Sequence, residues 1–410
     1  MENLYWQRYP LWRDVPPEQW YDWHWQYRHI VSTMEDLVQV LPMTPEAIEG
    51  AKSTMSDYKF ASTPYYLTLI DAKNPECPIR LQTIPDFKEV SRAAMDMEDP
   101  LGEDSHMPVP GLVHRYPDRV LFLVTTSCAM YCRFCTRRRI VLNKEHRTER
   151  ELENVFNYLR EHKEVRDIII SGGDALFIGD KFLETCLEGF RSIPHIEIIR
   201  IATRIPIVCP MRVDEKLVTM LRKYAPLYLM THFNHPYELT DEAKKACAMF
   251  VDHGIPMMNQ TVLLRKVNSD PVILRALFHE LLKNRVKPYY LYQCDLSEGI
   301  EHFRTPVQKG IEIIESLRGH TSGLAVPEFV IDAPGGGGKV PVMPQYLISE
   351  SDKKVVVRNY RGFISVYEQP RETDCECSTT EEINKLYPAP PSEGPDLLMH
   401  SKRVGIEPSK

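Results

Sequence analysis

Three cysteines carry the strongest chemical signal in this chain. They form the run Cys128-Ala-Met-Tyr-Cys132-Arg-Phe-Cys135, a C-x3-C-x2-C pattern directly after the apolar segment 120–126. Thiolates suit soft metals and iron–sulfur clusters. A cubane of four irons held by three protein thiolates keeps one iron open to a small molecule. The alternative is a zinc knuckle. Structural zinc takes four ligands, usually as two close pairs. No second pair lies nearby, and Cys375-Glu-Cys377 stands far downstream.

Other residues suggest further chemistry. Ser171-Gly172-Gly173-Asp174 would let backbone approach a ligand closely, because glycine has no Cβ. Gly335-Gly-Gly-Gly338-Lys339 invites a phosphate-loop reading, but Val340 follows the lysine where Ser or Thr is needed. A lysine on such a segment could form a Schiff base with pyridoxal 5′-phosphate (PLP). A linker or an ordinary surface lysine remains the alternative. Arg115-Tyr116 and Arg212 could clamp a phosphate, and Arg137 a carboxylate, through paired N–H donors. Arg137-Arg-Arg139 could also read as a nucleic-acid patch. The formal charge of −7 argues against that.

These residues need a scaffold, and the pattern from residue 120 onward supplies one. Short β-branched runs at 120–126, 166–170, 195–202, 226–231, 256–262 and 286–292 alternate with amphipathic stretches near 148–162, 180–191, 213–223, 239–252 and 271–284. Such a βα repeat predicts a parallel sheet. The expected fold is α/β, a partial (β/α)6 parallel barrel. Polar motifs follow the strands in turn: the cysteine run, Ser171–Asp174, Thr203-Arg204, Thr231-His232-Phe-Asn-His235, Asn259-Gln260 and Gln293-Cys-Asp295. In parallel α/β barrels that rim builds active sites. A further short strand, Glu328–Asp332, leads into the glycine-rich lysine segment. The expected division is a helical region 1–110, a barrel 111–330 and a C-terminal lysine segment with an oligomerisation tail, 331–410, polar and Pro-rich beyond about 370.

All five tryptophans lie in the first 25 residues. A helix over 17–28 would place Trp20 and Trp23 on one face. That stripe packs either on the chain's own core or on a neighbouring subunit, and a homo-oligomer is expected. Residues 36–60 read as helix, with Thr44-Pro45 as its N-cap and first turn. No apolar run approaches the roughly 20 residues of a membrane helix. The scattered cysteines fit a reducing cytoplasm rather than a disulfide framework.

The cysteine spacing resembles that of the radical S-adenosyl-L-methionine (SAM) enzymes. Together with Thr136-Arg-Arg-Arg, Thr231-His-Phe-Asn-His-Pro236, Tyr292-Gln-Cys-Asp295 and Asp332-Ala-Pro-Gly-Gly-Gly-Gly-Lys339, it resembles the lysine 2,3-aminomutase family, from about Trp20 to Glu368. The resemblance implies that Cys128, Cys132 and Cys135 hold a 4Fe-4S cluster whose open iron SAM chelates. It implies that Gly172, Gly173 and Asp174 form the segment that binds the SAM amino group, although many radical SAM enzymes have Glu where Asp174 stands. It makes Lys339 the PLP lysine, with Arg115, Tyr116 and Arg212 on the phosphate. It puts Arg137 on the substrate carboxylate, Asp295 and Asp332 on the side-chain amine, and Gln260 and His232 near SAM or PLP. The implied reaction moves the α-amino group of a small-molecule amino acid to C3 by way of a 5′-deoxyadenosyl radical. An electron donor, flavodoxin-like or ferredoxin-like, is implied as partner.

Two carboxylates at the far end of the substrate suit a cation, so L-lysine giving β-lysine is expected first, with L-arginine as runner-up. Glutamate remains a possible substrate of the same chemistry. A radical SAM enzyme that modifies a protein lysine is a further alternative, and those relatives lack the aromatic N-terminus. The resemblance implies a structural zinc held by three tail cysteines and one from a neighbouring subunit. Here Cys375 and Cys377 remain and Asn268-Ser-Asp270 stands where the partner cysteine is expected, so no full four-cysteine zinc site is expected.

Overall fold

A computed structural model describes residues 4–141, 147–370 and 377–386. Its centre is a nine-stranded sheet in which strand order follows chain order. The strands are β1 (Leu112–Tyr116), β2 (Arg119–Thr125), β3 (Asp167–Gly172), β4 (Ile198–Ala202), β5 (Leu227–Thr231), β6 (Met257–Leu263), β7 (Val286–Gln293), β8 (Glu328–Ala333) and β9 (Gly338–Pro341). Strands β2 to β8 are parallel, and β1 and β9 pair antiparallel at the two ends.

All six strands read from the sequence are present, and so are the five helices between them. The helix Glu149–Glu161 shows why. Thr148 and Glu151 close a capping box, and Leu152, Val155, Phe156 and Leu159 recur on one buried face. The sheet extends past those six strands at both ends. Glu328–Ala333 joins as a seventh parallel strand and so runs across the expected boundary at residue 330. The lysine segment is then not a separate unit, because Lys339 lies in β9, paired opposite Asp332 of β8. The ends of the sheet meet through side chains. The backbone N–H of Lys339 donates to the Tyr116 hydroxyl at 3.0 Å. Arg115 reaches Asp332 at 3.3 Å. This barrel is therefore closed by its candidate functional groups, not by a backbone ladder.

The N-terminal region differs from expectation in two places. The helix over 17–28 breaks into Pro17–Trp20 and Trp23–Arg28, because the Asp22 carboxylate caps the second piece by accepting from the His24 N–H. The helix over 36–60 is likewise two, Met34–Val40 and Pro45–Asp57, with Thr44 and Pro45 in the expected capping roles. Trp6, Trp12, Trp20 and Trp25 are buried in the chain's own core, continuous with that of the barrel. Trp6 and Trp20 stack at 4.8 Å, and the Trp6 indole N–H donates to the Val15 carbonyl at 2.9 Å. Of the two packings expected for the tryptophans, these four take the one on the chain's own core. A separate three-stranded sheet, β10 (Leu347–Glu350), β11 (Lys354–Arg358) and β12 (Ile364–Glu368), follows the barrel. Cys375 and most of the expected tail lie outside the described residues. No helix among the described residues is long and apolar enough to cross a membrane.

Candidate active site

Strand β2 feeds the cysteine loop directly into the rim. Cys128, Cys132 and Cys135 line a cavity of about 250 Å³ together with Ser171–Asp174, Arg204 and His232. The loop is fastened from outside the barrel. Tyr131 and Arg133 donate their backbone N–H groups to the carbonyls of Ala61 and Gln82, each at 3.0 Å. The Arg133 guanidinium, between two of the cysteines, is clamped by buried Glu89 at 2.6 and 2.9 Å. Glu89 also takes Arg138 on the far side of Cys135. Burial pushes the Cys128 thiol up and the Cys135 thiol up to about 11. The three thiols come from one loop and line one cavity with no fourth cysteine beside them among the described residues, a donor set that suits an iron–sulfur cluster with one open iron better than a four-ligand structural zinc.

The glycines after β3 have a role the sequence reading missed. Gly172 has φ of +118°, and a Cβ there would lie 2.1 Å from the Thr125 carbonyl oxygen. At Gly173 a Cβ would lie 2.2 Å from that of Ser127. Glycine is required for the end of β3 to nest against the cysteine loop. Asp174 turns inward and is fully engaged. Its carboxylate accepts from the Leu176 N–H at 3.0 Å, the Thr203 hydroxyl at 2.6 Å and the Arg204 N–H at 2.7 Å. Its side chain thus fixes the rim, which leaves the backbone of this segment to face a ligand. His232 is half-buried with its ring turned inward, and burial beside Arg204 pushes it down to about 3. Its Nε2 has no partner. Arg204 donates to the Cys132 sulfur at 2.9 Å and pairs with Glu238 at 2.6 Å.

A second cavity of about 440 Å³ adjoins the first inside the barrel. Arg137, Gln260, Tyr292 and Lys339 line both. Lys339 Nζ stands 3.1 and 3.2 Å from the two oxygens of Asp332 and 5.2 Å from the Tyr292 ring centre. Arg115 and Tyr116 line the second cavity, joined by Arg119, Arg200, Tyr289 and Tyr290. Arg119 lies 4.0 Å over the Tyr116 ring. Arg200 holds Asp167 at 3.0 and 2.8 Å. The sequence held one signal for Arg200, a lone charge inside the apolar strand Ile198-Ile-Arg-Ile201. The other three carried none.

Asp295 and Asp332 both line the first cavity. Asp332 is bound by Lys339 and Arg115. The Asp295 carboxylate has no hydrogen-bond partner among the described residues. Burial, then the neighbouring Asp332 charge, push it up to about 7 against the pull of Lys339, Arg137 and Arg115. Arg137 uses its Nε and Nη2 on Glu103 at 2.7–3.0 Å. That fixes the guanidinium in the wall of both cavities.

The region 122–274 matches the radical SAM superfamily model, and 314–409 matches the lysine-2,3-aminomutase model. The chain is 52% identical to L-lysine 2,3-aminomutase of Acetoanaerobium sticklandii, over 91% of each chain. It is 50% identical to that of Fusobacterium nucleatum over 97% of this chain and 93% of the relative. Glutamate 2,3-aminomutase of Clostridioides difficile is 40% identical over 87% and 85%. The chain belongs to the lysine 2,3-aminomutase family. It is an isomerase of the radical SAM class, and the family implies a 4Fe-4S cluster, SAM and PLP.

Set against the family's demands, one expectation fails. Arg212 touches neither cavity. It is fully buried, paired with Asp180 and lying 4.6 Å over the Trp23 ring, where it ties the N-terminal region to the barrel. Arg119 stands beside Arg115 and Tyr116 instead. In the arginine triplet, Arg137 pairs with Glu103, Arg138 with Glu89 and Arg139 with Asp104.

Proposed function

We propose that this protein moves the α-amino group of L-lysine to C3, giving β-lysine. The observation that carries the substrate choice is the pair Asp295–Asp332. Asp295 is a half-buried carboxylate with no hydrogen-bond partner among the described residues, beside a second carboxylate that already holds a lysine-type ammonium, that of Lys339. Such a pair repels the acidic side chain of glutamate and attracts a cation.

When bound, the cluster and SAM supply a carbon-centred radical, and PLP supplies the carbonyl that carries the migrating nitrogen. The chain's residues then have these roles. Cys128, Cys132 and Cys135 ligate the cluster. The Ser171–Gly173 backbone, Gln260 and neutral His232 face SAM from the cysteine cavity. Lys339 offers the amine that would anchor PLP, and Arg115, Tyr116 and Arg119 offer cationic and hydroxyl donors to its phosphate. Arg137, oriented by Glu103, binds the substrate carboxylate. Once the Lys339 amine is engaged, Asp332 is released from it and joins Asp295 around the substrate ε-ammonium. The enclosing walls keep water from a reactive radical.

Anaerobic turnover of the reconstituted enzyme on L-lysine, L-arginine and L-glutamate tests the reading. Lysine is expected to be the preferred substrate. Preference for glutamate would overturn the pocket assignment.

A further inference from the structure

Arg137 and Asp295 sit on separate loops, one following the cysteine run and one following β7. A third stretch of chain joins the two. Residues 93–103 form no helix or strand, apart from an isolated bridge between Met97 and Ser297. Leu101 of this stretch lines both reaction cavities. Backbone outside helices and sheets takes its shape from specific partners, and the partners here lie on both loops.

At one end the stretch grips the loop of Asp295. Arg304 donates its Nε to the Asp295 carbonyl at 3.0 Å and its Nη2 to the Ser297 carbonyl at 2.9 Å. The same Nη2 pairs with the Asp96 carboxylate, whose other oxygen accepts from the Ala93 N–H at 2.9 Å. The Met97 N–H donates to the Leu296 carbonyl at 2.7 Å, and the Glu298 N–H to the Met97 carbonyl at 3.2 Å. The Asp96 side chain is 2% exposed and that of Arg304 11%, so this pair escapes the solvent screening that weakens surface pairs. At the other end, buried Glu103 fixes Arg137, and Asp99 pairs with Arg139 at 3.4 Å. Arg138 adds a direct tie between the loops by donating to the Glu298 carbonyl at 3.3 Å. The Asp295 carboxylate has no hydrogen-bond partner among the described residues, so its place is set through its backbone, and Arg304 holds that backbone.

We infer that Arg304 and Asp96 are positioning residues that set the length of amino acid the site accepts. The inference rests on the proposed function, in which Arg137 takes the substrate carboxylate and Asp295 its far ammonium. A substrate must then meet both groups at once, and the stretch from Asp96 to Glu103 ties those groups together. L-ornithine is one methylene shorter than L-lysine. With the Asp295 loop clamped, the ornithine ammonium falls short of its carboxylate. With the clamp released, Asp295 can follow the shorter chain, and lysine loses its advantage.

The test is kcat/KM for L-lysine and for L-ornithine under anaerobic turnover of holoenzyme. The ratio of the two, taken on one preparation, does not depend on how much of it is active, so loss of folded or loaded enzyme leaves it unmoved. Arg304→Lys keeps a charge opposite Asp96 and loses the fork that spans two carbonyls. Asp96→Asn/Arg304→Gln removes both charges and so leaves none unpaired. Wild type is expected to favour lysine by about 100-fold, and both variants to narrow that ratio about tenfold, chiefly through a higher KM for lysine. Where a variant turns over too slowly, the shift of PLP absorbance on titration with each amino acid gives the same ratio from Kd. Arg212→Lys, which loosens a buried pair away from the cavities, is expected to keep the wild-type ratio. A wild-type ratio in both clamp variants would overturn the inference, as would equal narrowing in Arg212→Lys. A wild-type enzyme that does not distinguish lysine from ornithine would overturn the proposed pocket instead.

Discussion

The two reaction cavities share a wall, yet they are built in opposite ways. The three thiols of the cysteine cavity come from one short loop, Cys128–Cys135, with its glycine support one strand later, and Arg204, His232 and Gln260 complete it from later strands. The lysine cavity takes Arg115 and Tyr116 from β1, Arg119 from β2, Arg200 from β4, Tyr289 and Tyr290 from β7 and Lys339 from β9. The difference teaches where sequence can be read. A contiguous loop writes its chemistry as a motif. A site assembled from one or two inward-facing residues per strand leaves no pattern except an odd charge in an apolar run.

The comparison breaks most decisively at its two anchors. Cys132→Ala is expected to lose cluster iron and SAM cleavage altogether, while PLP absorbance survives. Borohydride reduction of holoenzyme is expected to leave the pyridoxyl label on Lys339, measured by peptide mass. A label on another lysine would sink the anchor of the second cavity, and retained iron with cleavage in the cysteine variant would sink that of the first.

A smaller effect sharpens the distributed half. Arg119→Ala is expected to weaken PLP binding roughly tenfold or more, the cost of losing one charge-assisted contact. Arg212→Lys is expected to leave PLP affinity unchanged and to lower thermal stability, since Arg212 is buried away from the cavity. Titration of apoprotein with PLP separates the two. The reverse pattern would restore Arg212 to the site.

Much of the fold was legible for the same reason the cysteines were. Six parallel strands and five helices announce themselves by local period, as Leu152, Val155, Phe156 and Leu159 do. What was missed depends on tertiary partners. The strand Leu112–Tyr116 exists because it pairs antiparallel with β2. The break at Tyr21 exists because Asp22 prefers to cap, and nothing in the tryptophan spacing shows it. Arg212 looked like a phosphate ligand until its buried partners, Asp180 and Trp23, were visible. Asp174 read as a ligand contact, yet its carboxylate is spent on the rim.

A still smaller effect concerns pH. Asp295 titrates near 7 because burial and Asp332 raise it. A raised carboxyl is neutral below that pH, so its attraction for an ammonium is present above about 7 and fades as pH falls through it. KM for lysine is expected to rise on acidification in wild type, and Asp295→Asn is expected to lose that component of the profile. By linkage, holding this carboxyl in its raised state costs folding stability that accrues as pH rises from 3.8 to about 7 and is full above it, so the Asn variant of the apoprotein should melt higher at pH 8. An unchanged KM profile in the variant would remove Asp295 from the pocket.

The central claim is that Asp295 and Asp332 read the far ammonium of the substrate. L-norleucine matches the carbon chain of L-lysine and lacks that ammonium. The decisive measurement is the ratio of kcat/KM for lysine over norleucine under anaerobic turnover, in wild type and in Asp295→Asn. A buried charge pair is worth roughly 2–5 kcal/mol on losing one partner, so wild type should favour lysine by roughly 30-fold or more, and the variant should narrow the gap. Equal turnover of the two amino acids by wild type would contradict the account.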